Sequence, residues 1–387
     1  MIDFVFQNPT KIYFGKSALS NLKSEAAHWG ERVLLVYGGG SIKRTGVYDQ
    51  VMAQLAGTQV WELGGVQPNP RLSLVREGIR LCHEHDIQLV LAVGGGSAID
   101  TAKAVANGAC YDGDVWDLFD GKGENTEVLP LGTVVTIPAA GSEMSNSSVI
   151  TREEDLCKRG RNTPLNFPKF SILNPEFTYT LPPFQTACGV VDIMAHMMER
   201  YFTRVTHVEL IDRMTEGALK TVVGNAPIVM HEPENYDARA EIMWAGCLAH
   251  NTLFQTGRVG DWASHKLEHE LSALYDIAHG AGLAIVFPAW MKYALAHGGE
   301  AKLAQFAVRV FDVPASGDDA ADAAEGIRRL EAFYRSLGLT TTLTENGIGD
   351  TDFGRMAERA VAMAGGTLGQ FVPLKAADCE AIYRLAL

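Results

Sequence analysis

Two short apolar runs of this 387-residue chain, VLLVY at 33–37 and IQLVLAV at 87–93, each end in the same tetrapeptide, GGGS. Apolar runs of this length bounded by glycine are typical of strands buried in a parallel sheet. A third run, LGTVVTI at 131–137, stops at a proline and leads into a loop of small polar residues. Stretches with helical spacing of apolar residues separate the runs. The pattern predicts βαβ units and restricts this part of the chain to an α/β fold.

The composition and periodicity of the sequence change after the segment LPP at 181–183. Beyond it, β-branched runs disappear, and long stretches carry Ala, Met, Leu and charged residues at helical spacing. The length exceeds the ~150 residues of a typical single domain. Two consecutive prolines are typical of a boundary followed by a helix start. We therefore predict an α/β domain over residues 1–182 and an all-helical domain over residues 183–387.

Charge and cysteine usage exclude several classes of protein. The chain has 33 Lys and Arg against 46 Asp and Glu, a net charge of −13, and we find no basic patch for nucleic acid or an anionic membrane. Its six cysteines are far apart and never form a CxxC pair, which disfavours a disulfide framework or a thiolate zinc site. The N-terminus MIDFVFQNPT lacks the basic residues of a signal peptide, and the long uncharged runs are too short to span a membrane. We expect a cytoplasmic protein.

The second GGGS, at 94–97, lies between a predicted strand and a predicted helix. Glycines let a ligand approach the backbone there, and the free N–H groups of a helix start favour an anion such as a pyrophosphate. The segment is neither GxGxxG nor a P-loop, so a plain strand-to-helix turn remains an alternative. Asp100, one turn later, could cap the glycine loop or hold a ribose hydroxyl, or it could be an acid favoured by the helix dipole.

The first GGGS, at 38–41, lies where nucleotide-binding sheets recognise the adenosine ribose. A carboxylate at this place would accept the 2′-hydroxyl and repel a 2′-phosphate. Here the glycines and Ser41 are followed by Lys43 and Arg44. If a dinucleotide binds, this turn favours NADP(H) over NAD(H). A surface turn with solvated Lys and Arg is the alternative.

Histidine and aspartate side chains form a pattern in the predicted helical domain. Asp192 and His196 are four residues apart in the otherwise apolar segment GVVDIMAHMMERY, and His265, His269 and His279 lie within fifteen residues of one another. Side chains four residues apart share one helix face and can share one metal ion. A buried Asp–His hydrogen bond is the alternative for the first pair. The full set suits Fe(II) or Zn(II) and leaves room for a substrate oxygen.

The ordered set of motifs resembles the iron-containing (group III) alcohol dehydrogenase family, in particular its NADPH-dependent aldehyde reductase and butanol dehydrogenase branch. The motifs are spread over the whole chain: NPTKIYFGKSAL, VYGGGSIKRTG, GGVQPNP, AVGGGSAIDTAK, TIPAAGSEMS, TLPP, GVVDIMAH, DWASHKLEHEL and AHGAGLAIVFP. The resemblance implies a dehydroquinate-synthase-like fold, with an α/β dinucleotide-binding domain and an all-α domain that binds metal and substrate.

The resemblance also implies roles for individual residues. The metal ligands would be Asp192, His196, His265 and His279, and His269 would be a catalytic proton-relay group. Cofactor contacts would come from Gly38, Gly39, Ser41, Asn69, Gly95, Gly96, Ser97, Asp100, Thr136, Ser145 and Lys158. The family loop often has Thr before GSE, where this chain has Ala140. A hydroxyl contact to the cofactor is therefore missing or comes from a neighbour such as Ser142.

We therefore expect a metal-dependent oxidoreductase that transfers hydride between NADP(H), with NAD possible, and an aldehyde or primary alcohol, mainly in the direction of aldehyde reduction. The expected partner is that small-molecule substrate, with no nucleic acid or membrane, and the expected assembly is a homodimer. A dehydroquinate-synthase-type cyclase or lyase is the alternative enzyme, but it would need Lys and Arg around the metal ligands. A non-catalytic nucleotide-binding module would leave the Asp and His set unexplained.

Overall fold

The computed structural model describes all 387 residues, which divide into two compact units. The first unit comprises Gln7–Leu181 and Pro233–Asn251. The second comprises Met1–Phe6, Pro182–Glu232 and Thr252–Leu387. The main division therefore lies between Leu181 and Pro182, at the double proline.

A parallel sheet forms the centre of the first unit. The strands of the chain are β1 Lys11–Phe14, β2 Arg32–Gly38, β3 Gln59–Val66, β4 Leu89–Gly94, β5 Leu131–Val135, β6 Ser147–Arg152, β7 Cys157–Asn162 and β8 Phe170–Leu173. Six of them pair in the order β1-β8-β5-β4-β2-β3, and every pairing is parallel. Strands β6 and β7 form a separate antiparallel hairpin. The helices before Leu181 are α1 Leu22–Trp29, α2 Ser41–Arg44, α3 Val47–Gln54, α4 Leu72–Glu84, α5 Gly96–Gly108 and α6 Val115–Asp120.

Helices cover both faces of this sheet. Along β2, Leu34 and Val36 pack with residues of α4 and α5, whereas Val33 and Leu35 pack with residues of α1 and α3. Successive side chains of a strand point to opposite faces, so a strand buried on both sides must be apolar throughout. Burial on both faces therefore explains the continuous apolar run of β2 in the sequence. The predicted α/β fold class is confirmed for this unit.

The three strands that the apolar runs predicted, β2, β4 and β5, lie next to one another in the sheet. Tyr37 pairs with Val93 and Gly94 with Val135, so the loops after all three strands emerge at the same edge. The chain moves from β2 outward to β3 and then returns to β4 on the other side, which makes this edge a switch point of the strand order. Ligands of open α/β sheets bind at such a point.

Nine helices follow Leu181: α7 Pro183–Tyr201, α8 Glu209–His231, α9 Tyr236–Ala249, α10 Ala263–Tyr275, α11 His279–Leu295, α12 Glu300–Phe311, α13 Asp319–Ser336, α14 Phe353–Met363 and α15 Ala376–Leu385. Short 3-10 turns at Ala18–Asn21, Ser142–Met144, Pro164–Asn166, Pro175–Thr178, Leu253–Gln255 and Thr344–Asn346 complete the regular structure. The second unit contains no strand, as the helical spacing predicts. None of the helices combines the length and apolar character needed to cross a membrane.

A single boundary at residue 182 does not describe the whole chain, because two segments belong to the other unit. Helix α9 is part of the α/β unit because Met243 and Cys247 join the core formed by α4 and α5. Residues Met1–Phe6 belong to the helical unit, where the backbone of Ile2 donates a hydrogen bond to the carbonyl of Gly257. Both assignments depend on contacts between residues far apart in sequence, which local composition does not encode.

The packing of α4 on α5 predicts an effect of adding one methyl group. A Cβ at Gly78 would lie 2.5 Å from Val105 Cγ2 and 2.7 Å from Leu63 Cδ2, whereas one at Gly217 in α8 would meet nothing within 4 Å. We expect Gly78→Ala to lower the free energy of unfolding by about 1–3 kcal/mol through overpacking. Gly217→Ala should raise it by up to about 1 kcal/mol. Urea denaturation of both variants tests this, and equal midpoints would contradict the packing described.

Candidate metal centre and cofactor loops

The predicted metal ligands begin on α7, a largely buried helix of the second unit. The helix starts at Pro183, where a missing backbone N–H costs nothing, and every residue from Gly189 to Tyr201 is buried. Asp192, His196 and Glu199 follow one another at four and three positions, so they share one face of the helix. An apolar helix thus carries a single polar stripe.

Two further helices bring histidines to that stripe. His265 lies in the first turn of α10, and His279 is the first residue of α11. A Cβ at Gly280 would lie 2.1 Å from the backbone oxygen of Cys188, and one at Gly282 would lie 2.8 Å from Glu268 Cγ. Glycine at these two positions therefore lets the start of α11 contact α7 and α10 directly, which places His279 beside Asp192.

Asp192, His265 and His279 form a group whose potential ligand atoms all lie within 4.8 Å of one another. Asp192 Oδ1 is 3.9 Å from His265 Nε2 and 3.7 Å from His279 Nε2. Two ligands about 2.0–2.2 Å from a tetrahedral ion lie roughly 3.3–3.6 Å apart, so the two distances from Asp192 are within a few tenths of an ångström of what one shared ion requires.

The opposite nitrogen of each of these two histidines contacts a buried carboxylate. His265 Nδ1 is 2.8 Å from Glu199 Oε1, and His279 Nδ1 contacts Glu268 Oε2. Each carboxylate accepts a hydrogen bond from the Nδ1–H group, which leaves Nε2 with its lone pair facing Asp192. This carboxylate–histidine arrangement is the one that fixes the tautomer and ring orientation of metal-binding histidines.

Glu199 also fixes the start of α10. Its carboxylate accepts hydrogen bonds from the backbone N–H groups of Trp262 and His265, which supplies the cap that the helix lacks from its own N-terminal side chain. Trp262 has a φ of 64°, a left-handed conformation that a bulky residue rarely adopts. The ring of Trp262 lies against the Arg200 guanidinium at 4.5 Å. The backbone before His265 is therefore held by side chains of α7.

The charges around this centre favour an added cation. Asp192, Glu199, Asp261 and Glu268 are all buried, and Arg200 is the buried cation on the same stretch of α7. Burial together with the Asp261 carboxylate raises the pKa of Glu199 well above its usual value, and burial lowers the pKa of Arg200 to about 9. One carboxylate oxygen and imidazole nitrogens are ligands that Fe(II) and Zn(II) accept. The residues therefore fit a divalent metal ion.

The other two predicted histidines adjoin the group in different ways. His196 Nδ1 is 2.8 Å from the backbone oxygen of Asp192 and 3.0 Å from its Oδ1, and its ring centre is 4.5 Å from that of His265. His196 is thus a neighbour of the three-residue group without meeting its 4.8 Å spacing, and its role as a fourth ligand stays a prediction. His269 lies with its ring centre 5.6 Å from that of His279, on the same face of α10 as His265.

The predicted cofactor residues collect at the switch-point edge of the sheet. Gly38 is the last residue of β2, Gly39 follows it, and Ser41 begins α2. Gly95 precedes α5, Gly96 and Ser97 form its first turn, and the backbone N–H of Thr136 donates to the carbonyl of Gly94 at 3.0 Å. Gly40 has a φ of 90°, and a Cβ there would meet nothing within 4 Å, so the first turn leaves open space. The N-terminus of α5 offers free N–H groups to an anion.

Two more of the predicted residues, Asn69 and Lys158, are brought together in the structure. Lys158 Nζ donates to Asn69 Oδ1 at 2.9 Å, and both residues are buried. Asn69 has a φ of 55° in the loop after β3, and Lys158 lies on β7. The pair joins the hairpin to the loop beside the first glycine turn.

Lys103 on α5 holds the third loop, which follows β5 and comprises residues 136–146. The sequence alone did not predict this role for Lys103. This fully buried side chain donates to the backbone carbonyls of Ser142, Ser145 and Ser147 at 2.7, 3.0 and 2.7 Å, and to the Ser145 hydroxyl at 3.2 Å. Burial lowers the pKa of Lys103 to about 8, and the nearby Asp100 carboxylate opposes this shift. The predicted cofactor residue Ser145 is therefore positioned by α5.

Asp100 and Ser142 bind each other. Ser142 Oγ donates to Asp100 Oδ1 at 2.6 Å, and the backbone N–H of Val149 donates to Asp100 Oδ2 at 2.8 Å. The hydroxyl proton of Ser142 is thus committed to Asp100 and does not replace a missing threonine. A Cβ at Gly96 would lie 2.9 Å from the Ala140 Cβ, so Ala140 packs directly against the glycine turn.

A signal for two of the overlooked residues was present in the sequence. Lys103 and Glu199 are ionisable residues in largely apolar stretches of their helices, which is the same signal that identified Asp192, whereas Glu268 lies among polar neighbours and gave no such signal. Burying an ionised group is costly unless it has a partner, so such residues mark polar networks. Identification of the partners required the structure.

The fold and the site together define a two-unit protein with a dinucleotide-type sheet and a candidate metal centre. The chain matches the "Iron-containing alcohol dehydrogenase" family over residues 9–175 and the "Fe-containing alcohol dehydrogenase family, C-terminal" over residues 186–387. The chain belongs to the iron-containing alcohol dehydrogenase family. The fold, and the alcohol dehydrogenase or aldehyde reductase activity, that the resemblance implied are confirmed, and the family implies both a metal ion and a nicotinamide cofactor.

Individual relatives use either nicotinamide cofactor. The chain is 48% identical to the probable NADH-dependent butanol dehydrogenase 1 of Bacillus subtilis over all of both chains. It is 40% identical to the NADPH-dependent aldehyde reductase YqhD of Escherichia coli over 90% of each chain. Among solved structures, the NADH-dependent butanol dehydrogenase A of Thermotoga maritima has a TM-score of 0.95 at 40% identity, covering 100% of this chain and 99% of that one.

The carboxylates that hold the histidines should control metal affinity. We expect Glu199→Gln and Glu268→Gln each to weaken divalent metal binding by about 10–100-fold, because the amide holds the imidazole less firmly and lowers its basicity. The measurement is a competition titration against a chromophoric chelator. Glu358→Gln, at an exposed position of α14, is the matched control and should have no effect. Unchanged affinity in both variants would contradict the site as described.

Lys103 should matter for the order of the third loop. We expect Lys103→Met to lower the unfolding free energy by about 1.5–3 kcal/mol, since its hydrogen bonds to three carbonyls are lost. NADPH binding should weaken at the same time, because Ser145 is no longer held. Thermal denaturation and a fluorescence titration with NADPH measure the two effects. Lys23→Met, on the exposed side of α1, is the control, and NADPH affinity equal to the control would contradict this role.

Proposed function

We propose that the protein reduces small aliphatic aldehydes to primary alcohols with NADPH, using one divalent metal ion, Fe(II) or Zn(II). The group of Asp192, His265 and His279, with its two histidines held by buried carboxylates, is the observation that carries this proposal. The turn after β2 supports NADPH, because Lys43 and Arg44 follow the glycines and no carboxylate lies on the turn itself.

Each residue of the centre has a defined part in this proposal. The metal ion supplies Lewis acidity to the carbonyl oxygen, while the reduced nicotinamide supplies the hydride. Asp192, His265 and His279 hold the ion in place, and Glu199 and Glu268 keep the two imidazole rings from turning. His269, next to His279, is the side chain placed to hold the proton that the carbonyl oxygen takes up as the aldehyde becomes an alcohol.

The buried Arg side chains of the helical unit disfavour a cyclase that binds a phosphorylated polyhydroxy acid, because they are already paired. Arg200 donates to the backbone carbonyl of His196 at 2.8 Å, and Arg258 pairs with Asp212 at 2.9 Å. Both guanidinium groups are therefore engaged inside the protein. From Gly189 to Met198 the residues of α7 other than Asp192 and His196 are apolar, which suits an uncharged aldehyde.

The proposed function predicts that metal and activity are lost together. Oxidation of NADPH at 340 nm in the presence of butanal should require Fe(II) or Zn(II) and stop after chelation. Asp192→Asn should lose the metal and lower the rate by about 10²–10³-fold, because the group that stabilises the developing charge is gone. Asp237→Asn, an exposed acid on α9, is the control. Full activity of Asp192→Asn without bound metal would overturn the proposal.

A further inference from the structure

The short helix after the first glycine turn holds a cation that is already paired. Lys43 Nζ lies 2.8 Å from Glu62 Oε2. The hydroxyl groups of Tyr37 and Tyr48 donate to the same carboxylate, each at 2.6 Å. The ammonium also lies 5.0 Å and 4.6 Å from the centres of these two tyrosine rings. One carboxylate and two aromatic rings thus surround Lys43.

Four separate elements build this cluster. Tyr37 is near the end of β2, Lys43 is on α2, Tyr48 is on α3, and Glu62 is on β3, which pairs with β2. Although burial opposes it, hydrogen bonds from Lys43, Tyr37 and Tyr48 hold the pKa of Glu62 at about 2. Glu62 is therefore ionised at neutral pH.

We infer that Glu62 is a specificity-determining residue for the nicotinamide cofactor. Glu62 limits the preference for NADPH because it neutralises the charge of Lys43. The inference rests on the proposed function, in which this turn receives the adenosine ribose. A 2′-phosphate carries about −1.5 to −2 charges near pH 7, so it is attracted by an unpaired ammonium and gains little from a neutral ion pair. A 2′-hydroxyl is indifferent to that charge. Arg44, exposed on the same helix, remains as the cation for the phosphate.

The turn alone therefore does not decide the cofactor. The neighbouring strand supplies the acid that the residues from Gly38 to Arg44 lack, and it does so 24 positions after Gly38 in the chain. A site with one paired cation and one exposed cation accepts both NADH and NADPH, with a moderate preference for the phosphorylated form.

Binding of two nucleotides to the full chain tests this inference without using the reaction. Isothermal titration calorimetry compares adenosine 2′,5′-bisphosphate with adenosine 5′-monophosphate. Glu62→Gln, which keeps an oxygen acceptor for the tyrosines, should tighten the bisphosphate about tenfold and change the monophosphate less than twofold. Lys43→Met should weaken the bisphosphate by a similar factor, and the double variant should return close to wild type.

A matched control exists on the same unit. Glu25 pairs with Lys11 at 2.8 Å and also accepts a hydrogen bond from Tyr13, so Glu25→Gln breaks the same kind of cluster away from the turn. It should leave both affinities unchanged. The ratio of kcat/KM for NADPH to that for NADH should rise about tenfold in Glu62→Gln and remain constant in Glu25→Gln.

The outcomes separate this inference from the proposed function. Equal effects of Glu62→Gln on both nucleotides, no effect on either, or no binding of either nucleotide to the wild type would overturn the role of Glu62. The predicted binding pattern without turnover of any aldehyde would overturn the proposed function and leave the role of Glu62 standing. If Glu62→Gln failed to fold, Lys43→Met would decide: an unchanged bisphosphate affinity contradicts the inference.

Discussion

Asp192 lies on α7 in a stretch where every residue is buried. The surrounding structure offsets the cost of burying its carboxylate. A carboxylate removed from water is stable only beside positive charge or hydrogen-bond donors. The imidazoles of His265 and His279 approach it from two other helices, and Glu199 and Glu268 fix their orientation. A divalent ion, as in the proposed function, would complete the charge balance of this cluster. The glycines at 280 and 282 and the unusual backbone of Trp262 follow from the same requirement, since they allow the three helices to meet.

The loops with the predicted cofactor residues are held in place in a different way. Three parallel strands end in loops at one edge of the sheet, and two of these loops are glycine turns. The side chains that organise these loops act from behind them. Lys103 reaches through the core to three carbonyls, and Asp100 ties the same loop to α5. The ionisable residues of α5 therefore position the loop that carries the predicted cofactor residue Ser145.

Much of this could be predicted from sequence because the signals are local. An apolar strand buried on both faces, a double proline before a helix, and Asp192 and His196 at one helical turn each reveal themselves within a few residues. The short outer strand β1 and the half-exposed β3 carry no continuous apolar run, so they were not predicted. The position of α9 in the α/β unit, the pairing of Lys43 with Glu62, and the carboxylates behind His265 and His279 are contacts between distant parts of the chain. Residue types indicate that such partners are needed, and only the fold identifies them.

The central claim is that Asp192 and the neighbouring histidines hold a single divalent metal ion. X-ray absorption at the metal edge of protein loaded with Fe(II) or Zn(II) in the absence of oxygen tests it most directly. The account predicts nitrogen and oxygen ligands at about 2.0–2.2 Å and the outer-shell scattering of imidazole rings. A sulfur ligand near 2.3 Å, or the spectrum of a hydrated ion without imidazole, would contradict it.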